Sequence, residues 1–454
     1  MSRHERFNFS TKRALEEKID ALDLAIELSE DTSVYHTAVK VNESYAPNTL
    51  AILPMEGCDS EGDGSPSALV RRRYERFYGG GAGLIWWEAN AVTTEGKANA
   101  LQMMLTEENK EHFRTLMHDV KAIAWETHGH RPLGILQLTH SGRYSRPIGH
   151  KMQPIIAQHD PILDERVGVN SSYPIASDEY LAGLVRHYVH SAMLAKEVGF
   201  DGVDIKACHR YLLSELLASH TREGRYGGSF ENRIRLLIEI IEAVRDACGE
   251  NFIVACRFNI FDAHPYPYGF GVSEGDLWTF DPSEPKRLVR AMIKSGVSLL
   301  SNSAGNPYYI YPQVTRPFDQ SSMGIPIPDE HPLESIARLF MFTRLIQEEA
   351  GDIPVVGNGY TWLRQYMVHA GSANLKNGHC AFVGMGRSAF AYPDAPSDVL
   401  RQGFIDGRKC CTTCSKCTQI MRDHGRTGCV IRDSKVYAPL YKESRDEAEQ
   451  RSKA

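Results

Sequence analysis

Residues 199–235 read GFDGVDIKACHRYLLSELLASHTREGRYGGSFENRIR. The stretch opens with a short apolar run at 202–206, passes through polar and turn-forming residues, and closes on an amphipathic pattern that continues over 231–247. A short apolar run bounded by turn residues reads as a strand, and apolar residues recurring every three or four positions read as a helix. The same unit recurs on both sides. Apolar runs stand at 50–54, 83–87, 133–138, 253–258, 297–301, 353–357 and 381–385, with amphipathic stretches such as 180–198 and 332–349 between them. Eight strands alternating with helices predict an α/β fold with a parallel sheet, and eight is the number that closes a (β/α)8 TIM barrel.

The flanks differ from this rhythm. Leu15, Ile19, Leu22, Leu24, Ile26 and Leu28 recur at helical spacing, so a helical N-terminal extension is expected over 1–45, ahead of a barrel over 46–405. Residues 406–454 hold a cysteine-rich segment and a polar tail, whose end at 442–454 is expected to fray. The Tyr- and Pro-rich stretches 264–280 and 306–329 read as long loops over the barrel mouth, where they would line an apolar or aromatic pocket for a bulky hydrophobic substrate.

Composition narrows the function classes. The chain has 454 residues, 42% hydrophobic and 24% charged, which excludes a disordered or collagen-like chain. Fifty-one basic against 57 acidic residues give a net charge of −6, which argues against a nucleic-acid or anionic-membrane binder. No apolar run approaches the roughly 18 to 20 residues of a membrane span. The charged N-terminus lacks the apolar core of a secretory signal, so a cytoplasmic enzyme is expected.

In a barrel the chemistry lies at the C-terminal ends of the strands. The first run ends in Pro54-Met55-Glu56, the second in Glu88-Ala89, the third carries Gln137, the fourth ends in Lys206 with His209 and Tyr211 following, and the fifth ends in Arg257. The last two lead into Gly359 and into Gly386-Arg387. Glycines let backbone N–H groups approach an anion, and arginine adds a planar bidentate partner, so this end suits a phosphate; tight turns alone would also explain the glycines. Gln137 and Arg257 would suit the pyrimidine edge of a flavin, whose reduced ring a nearby cation stabilises. The bland alternative is an internal hydrogen bond and a structural salt bridge.

Five of the ten cysteines fall between Cys410 and Cys429. In a reducing compartment such a cluster reads as metal ligands rather than disulfides. Three closely spaced thiols, Cys411, Cys414 and Cys417, followed by the remote Cys429, lean toward a 4Fe–4S cluster rather than zinc, which usually takes two separated C-x2-C pairs. A frame starting at Cys410 remains an alternative.

Together these pieces resemble the Old Yellow Enzyme family of FMN-dependent oxidoreductases. The matching stretches are PMEGCDSEGDGSPS, LQLTHSGRYSRP, the block at 199–235 with YGGSFENR as its most specific part, CRFN and GMGRSAFAYPD. The cysteine quartet just after the last strand resembles the iron–sulfur branch that includes 2,4-dienoyl-CoA reductase and trimethylamine dehydrogenase. The resemblance implies FMN across the mouth, its ring against Pro54, Met55, Glu56 and Ala89, its pyrimidine side on Gln137 and Arg257, and its phosphate on Gly359, Gly386 and Arg387. It implies Cys411, Cys414, Cys417 and Cys429 as cluster ligands.

The resemblance also implies hydride transfer from reduced flavin to an α,β-unsaturated carbonyl compound, with His209 and Lys206 stabilising the carbonyl oxygen and Tyr211 as the proton donor. Lys206 departs from the family's usual His. No G-x-G-x-x-G opens a helix after a strand, so electrons are expected from NADH or NADPH directly or from a redox partner protein; a homo-oligomer is also compatible with the flanking segments. Three other readings are carried. One is oxidation of an amine by an enzyme of the trimethylamine dehydrogenase type, with Tyr308, Tyr309 and Tyr311 around the cation. Another is a Lys206 Schiff-base lyase. The last is a non-catalytic flavin electron carrier.

Overall fold

The computed structural model describes residues 3–308, 312–320 and 326–453. All eight apolar runs form strands: β1 (Leu50–Ile52), β2 (Leu84–Ala91), β3 (Leu133–Thr139), β4 (Gly202–Ile205), β5 (Ile253–Phe261), β6 (Leu299–Ala304), β7 (Val355–Gly357) and β8 (Phe382–Met385). They pair in sequence order, each parallel to the next, and β8 pairs with β1 to close the cylinder. The predicted TIM barrel is therefore the observed fold.

Each strand is apolar on both faces because both are covered. Ala51, Leu84, Trp86, Leu133, Ile135, Ile253, Ala255, Leu299, Val356 and Phe382 fill the interior. The alternate residues, among them Ile52, Ile85, Leu136, Val203, Val254, Leu300 and Val383, pack outward against helices. The helices that follow the strands include α1 (Ala68–Tyr78), α2 (Lys110–His128), α3 (Asp178–Glu197), α4 (Phe230–Cys248), α5 (Ser283–Lys294), α6 (Pro332–Ala350), α7 (Met367–Lys376) and α8 (Ala395–Gln402). Ser67, Ser177 and Ser229 cap α1, α3 and α4 by accepting from a backbone N–H of the first turn. No described helix is long and apolar enough to cross a membrane.

The flanks depart from expectation. The N-terminal extension is helical only over Lys12–Ala21, with a short 3-10 turn at Thr32–His36. It then forms a hairpin, Val39–Val41 with Ser44–Ala46, whose Val41 and Ala46 join the interior core and stopper the N-terminal end of the barrel. The stretch 264–280 is not simply loop, since Val272–Ser273 pairs antiparallel with Asp276–Phe280. The tail does not fray over 442–453. It forms one helix, Ser434–Lys453, anchored by buried Tyr437 and by Arg445, which is ion-paired with Asp423.

Candidate active site

Alternation along the strands decides what faces the mouth. Positions 133 and 135 of β3 point inward, so Gln137 does too; the same parity turns Arg257 of β5 inward beyond Ile253 and Ala255. These residues line a cavity of about 180 Å³ at the C-terminal ends of the strands, together with Pro54, Met55, Glu56, Lys206, His209, Tyr211, Gly359, Gly386 and Arg387. Eleven of the twelve residues expected at the flavin and substrate positions thus converge. Ala89 is the exception, buried within β2 and not lining the cavity. The pairing of β2 with β3 shifts register between Trp87 and Asn90, and Glu88 there turns to Arg73 and Tyr74 of α1. Burial pushes Glu88 up to about 7 against the opposing pull of Arg73, and its carboxylate accepts from Gly57 N at 2.6 Å, which fixes the loop carrying Pro54–Glu56.

One side of the cavity is built for proton handling. Lys206 Nζ lies 3.2 Å from Glu56 Oε1 and 4.0 Å over the Tyr211 ring. The Tyr211 hydroxyl is 2.6 Å from that of Tyr308 and donates toward Glu56 Oε1 at 3.4 Å. Burial, then Glu56, then Tyr308 hold the Tyr211 phenol well above its ordinary value, so it keeps its proton. His209 sits in the turn after β4 with φ +66, its backbone N–H donating to Asn259 Oδ1 and its Nε2 3.0 Å from Ser303 Oγ. Burial, with the charges of Lys206, Arg257, Arg316 and Arg422, holds His209 well below the usual imidazole value, so the ring is neutral.

The other side is cationic. Gln137 Nε2 donates to buried Asp204 at 2.6 Å, which leaves its carbonyl oxygen as an acceptor facing the cavity. Asp204 also accepts from Trp86 Nε1 and Arg257 N, and burial raises it to about 6. Arg387 Nη2 donates to Pro317 O, while Nη1 is buried without a partner. Arg257 Nε and Arg316 Nε are likewise buried and unpartnered. Burial and the neighbouring Arg387 charge lower Arg316 to about 9. Gly359 takes φ +97, open to glycine but strained for other residues. A Cβ at Gly386 would meet only Met55 Sδ, at 3.8 Å, so the backbone there is open to a ligand. Unpartnered guanidinium nitrogens beside open glycine backbone suit a phosphorylated, ring-bearing cofactor such as FMN.

The four quartet cysteines surround a common small pocket behind Arg387, which lines this pocket and the main cavity alike. Burial raises the Cys411 and Cys429 thiols, opposed in part by Thr413 N donating to Cys411 Sγ at 3.4 Å and Arg432 N to Cys429 Sγ at 3.3 Å. Ser415 Oγ, also on the pocket wall, is buried without a partner. Cys410 turns away, toward Asp406 O. Among the described residues no three His, Cys, Asp or Glu side chains are grouped closely enough to hold one metal ion. A 4Fe–4S cubane takes one thiolate on each iron, and Cys411, Cys414, Cys417 and Cys429 are the four thiols of this pocket that would hold it.

Several lining residues were not anticipated. The helix Lys416–Arg422, which carries Cys417, turns Thr418, Met421 and Arg422 onto the cavity. Their i, i+3, i+4 spacing was the available signal. Arg316 and Pro317 come from the 306–329 stretch, and the 264–280 stretch contributes nothing to the lining. The mouth is thus cationic in its charged groups, while the rest of its wall, with Leu53, Met55, Tyr308, Leu339 and Met421, is mainly apolar as expected. Tyr308 stacks on Tyr144 at 4.1 Å and lies 3.7 Å below the Arg422 guanidinium, so neither face is open to a substrate cation. Tyr309 and Tyr311 lie outside the described residues.

A closed barrel whose cationic, glycine-lined mouth also carries a proton-donor side has the parts to bind a phosphorylated cofactor and act on a substrate beside it. The chain belongs to the NADH:flavin oxidoreductase / NADH oxidase family, whose model matches residues 46–267. An NADPH dehydrogenase of Geobacillus sp. (strain WCH70) is 31% identical over 283 residues, 60% of this chain and 75% of that one. An NADH oxidase of Thermoanaerobacter brockii is 25% identical over 80% of this chain, which spans only 50% of that relative. A 2-naphthoyl-CoA reductase solved with 2-naphthoyl-CoA shares the fold, with a TM-score of 0.70 at 17% identity over 91% of this chain and 58% of that one. The Old Yellow Enzyme resemblance is therefore borne out for the family and for the fold.

Proposed function

We propose that the protein reduces an activated C=C bond, using FMN at the barrel mouth and a 4Fe–4S cluster on Cys411, Cys414, Cys417 and Cys429. The observation that carries this reading is the convergence of Lys206, His209 and Tyr211 on a cavity whose opposite wall is Gln137, Arg257 and Arg387. Bound and reduced, the flavin supplies a hydride. Gln137 and Arg257 would orient its ring, and Gly359, Gly386 and Arg387 would hold its phosphate. Neutral His209, with Lys206, holds the substrate carbonyl oxygen as negative charge develops there. Tyr211, protonated at rest, delivers its proton to the α-carbon, and its hydrogen bonds to Tyr308 and Glu56 give that proton a route of replacement. Electrons arrive from NADH or NADPH visiting the mouth, or from a redox protein docking by the cysteine segment, in the cytoplasm where ten thiols stay reduced.

The test is anaerobic purification with flavin, iron and sulfide assays, followed by stopped-flow reduction with NADH and NADPH and reoxidation by 2-cyclohexenone. Released FMN, four irons per chain and enone-dependent reoxidation are expected. A protein without flavin, or a reduced flavin that no enone reoxidises, overturns the reading. Amine oxidation fits the mouth less well, because a protonated amine would enter among Lys206, Arg257, Arg316, Arg387 and Arg422. Reduction of the flavin by trimethylamine would reverse that preference.

A further inference from the structure

The turn between β4 and the helix Leu212–Leu217 carries two strained residues in a row. His209 and Arg210 both take left-handed backbone, φ +66 and +59, a region that side chains other than glycine's disfavour. Such outliers persist only where the surrounding structure enforces them, and they gather at functional sites. The neighbours of Arg210 in the chain, His209 and Tyr211, both line the cavity. Arg210 itself does not, and it is only 1% exposed.

Its partners show what enforces the turn. Arg210 Nη1 donates to Asp262 Oδ2 at 3.0 Å and Nη2 to Asp160 Oδ2 at 3.3 Å, and both carboxylates are buried. The other oxygen of Asp262 accepts from Asn259 Nδ2 at 2.7 Å, and Asn259 Oδ1 accepts from the His209 backbone N–H at 3.0 Å. A ring of contacts thus runs from His209 through Asn259 and Asp262 to Arg210 and back along the chain. Asp160 anchors it from outside, because it caps the helix Pro161–Val167 and lies 2.8 Å from His264 Nε2. Glycine at position 210 would take the same φ at ease, yet it would close no ring. The chain bears the strain of an arginine at the one position between its two proposed catalytic side chains.

We propose that Arg210 is a positioning residue, which ties the turn after β4 to Asp262 and Asp160 and so holds His209 and Tyr211 in place for the substrate while touching neither substrate nor cofactor. This rests on the reductase reading above and deepens it.

The experiment compares two oxidants of holoenzyme reduced with stoichiometric dithionite. Reduction of 2-cyclohexenone needs an oxygen held and a proton delivered, whereas ferricyanide takes single electrons and needs neither. Arg210→Gly relieves the backbone while cutting the tie. It is expected to slow reoxidation by 2-cyclohexenone at least about tenfold and to leave the ferricyanide rate within about twofold of wild type. The solvent deuterium isotope effect on the enone reaction should rise, as proton delivery becomes limiting. Hydrogen exchange over residues 206–217 should quicken in the apoprotein, a readout that needs no flavin. Arg143, paired with Asp164 and Glu215, separately joins the helix Pro161–Val167 to Leu212–Leu217, so the fold has a second tie. Arg210→Lys, a point charge in place of a two-pronged fork, should lie between glycine and wild type. Enone rates and hydrogen exchange equal to wild type in flavin-replete variants overturn the proposal and leave the reductase reading standing. So does an equal fall in both rates, or loss of the fold in Arg210→Lys, either of which would make Arg210 structural only. A wild type that reacts with ferricyanide but with no enone removes the reductase reading, and this inference with it.

Discussion

Lys206 Nζ and Glu56 Oε1 stand 3.2 Å apart across the barrel mouth, joining the end of β4 to the loop after β1. The pair also touches the proposed proton donor, since Glu56 accepts from Tyr211 and Lys206 covers the Tyr211 ring. Lys206 is therefore engaged in a local charge network rather than standing as a free amine for Schiff-base chemistry. Lys206→Met would leave Glu56 unpaired at the donor and remove one donor to the substrate oxygen. Enone-dependent flavin reoxidation is expected to slow by at least about tenfold, or 1.4 kcal/mol of barrel-mouth stabilisation of the transition state. A rate equal to wild type would make the pair an incidental surface contact.

Tyr211→Phe removes the proton but keeps the ring under Lys206. Reoxidation by 2-cyclohexenone should fall by about 10²- to 10⁴-fold, the span of a lost general acid, while flavin content stays at the wild-type level. Tyr308→Phe, which removes only the hydroxyl 2.6 Å from that of Tyr211, should cost much less.

Arg387, which lines the cavity, keeps a buried Nη1 with no partner among the described residues. Hydrogen bonds to a charged group contribute about 1.5–3 kcal/mol, so Arg387→Met should weaken FMN binding by about 10- to 100-fold. Quenching of free FMN fluorescence on titration into apoprotein measures it, and an unaltered dissociation constant would place the phosphate elsewhere.

His209 is neutral because burial and four nearby cations oppose its protonation. A depressed folded value means the ring gains a proton only well below the ordinary imidazole range. The reoxidation rate should therefore show no inflection from this histidine between about pH 5.5 and 7.5. An inflection near pH 6.5 that vanishes in His209→Asn would contradict the assignment.

Cys417 is one thiol of the quartet pocket and shares its helix with Met421 and Arg422. Cys417→Ser should lower iron and sulfide content and make the segment from Cys411 to Cys429 more susceptible to limited proteolysis. Full iron retention with unchanged cleavage would argue for a different frame of ligands.

The strands were legible because helices on one side and the packed interior on the other require a short apolar run in each of them, with polar residues held mainly toward the C-terminal ends. The mouth was legible by parity: once the interior positions of β3 and β5 are placed, Gln137 and Arg257 must follow. Ala89, which the resemblance sets against the flavin ring, is buried within β2 and does not line the cavity. The hairpin at 39–46 was missed because two three-residue strands are too short to display a period. The tail was expected to fray because its charges look solvated, whereas Arg445 and Arg451 fasten it to Asp423. Arg316 and Arg422 lie outside the strand ends, and only the folded loops bring them to the cavity.

The hairpin that seats Val41 and Ala46 in the floor has a kinetic corollary. With that floor sealed, a nicotinamide reductant and an acceptor must use the same doorway, and neither can react while the other occupies it. Turnover should then follow parallel double-reciprocal lines, with each partner, at high concentration, obstructing the other.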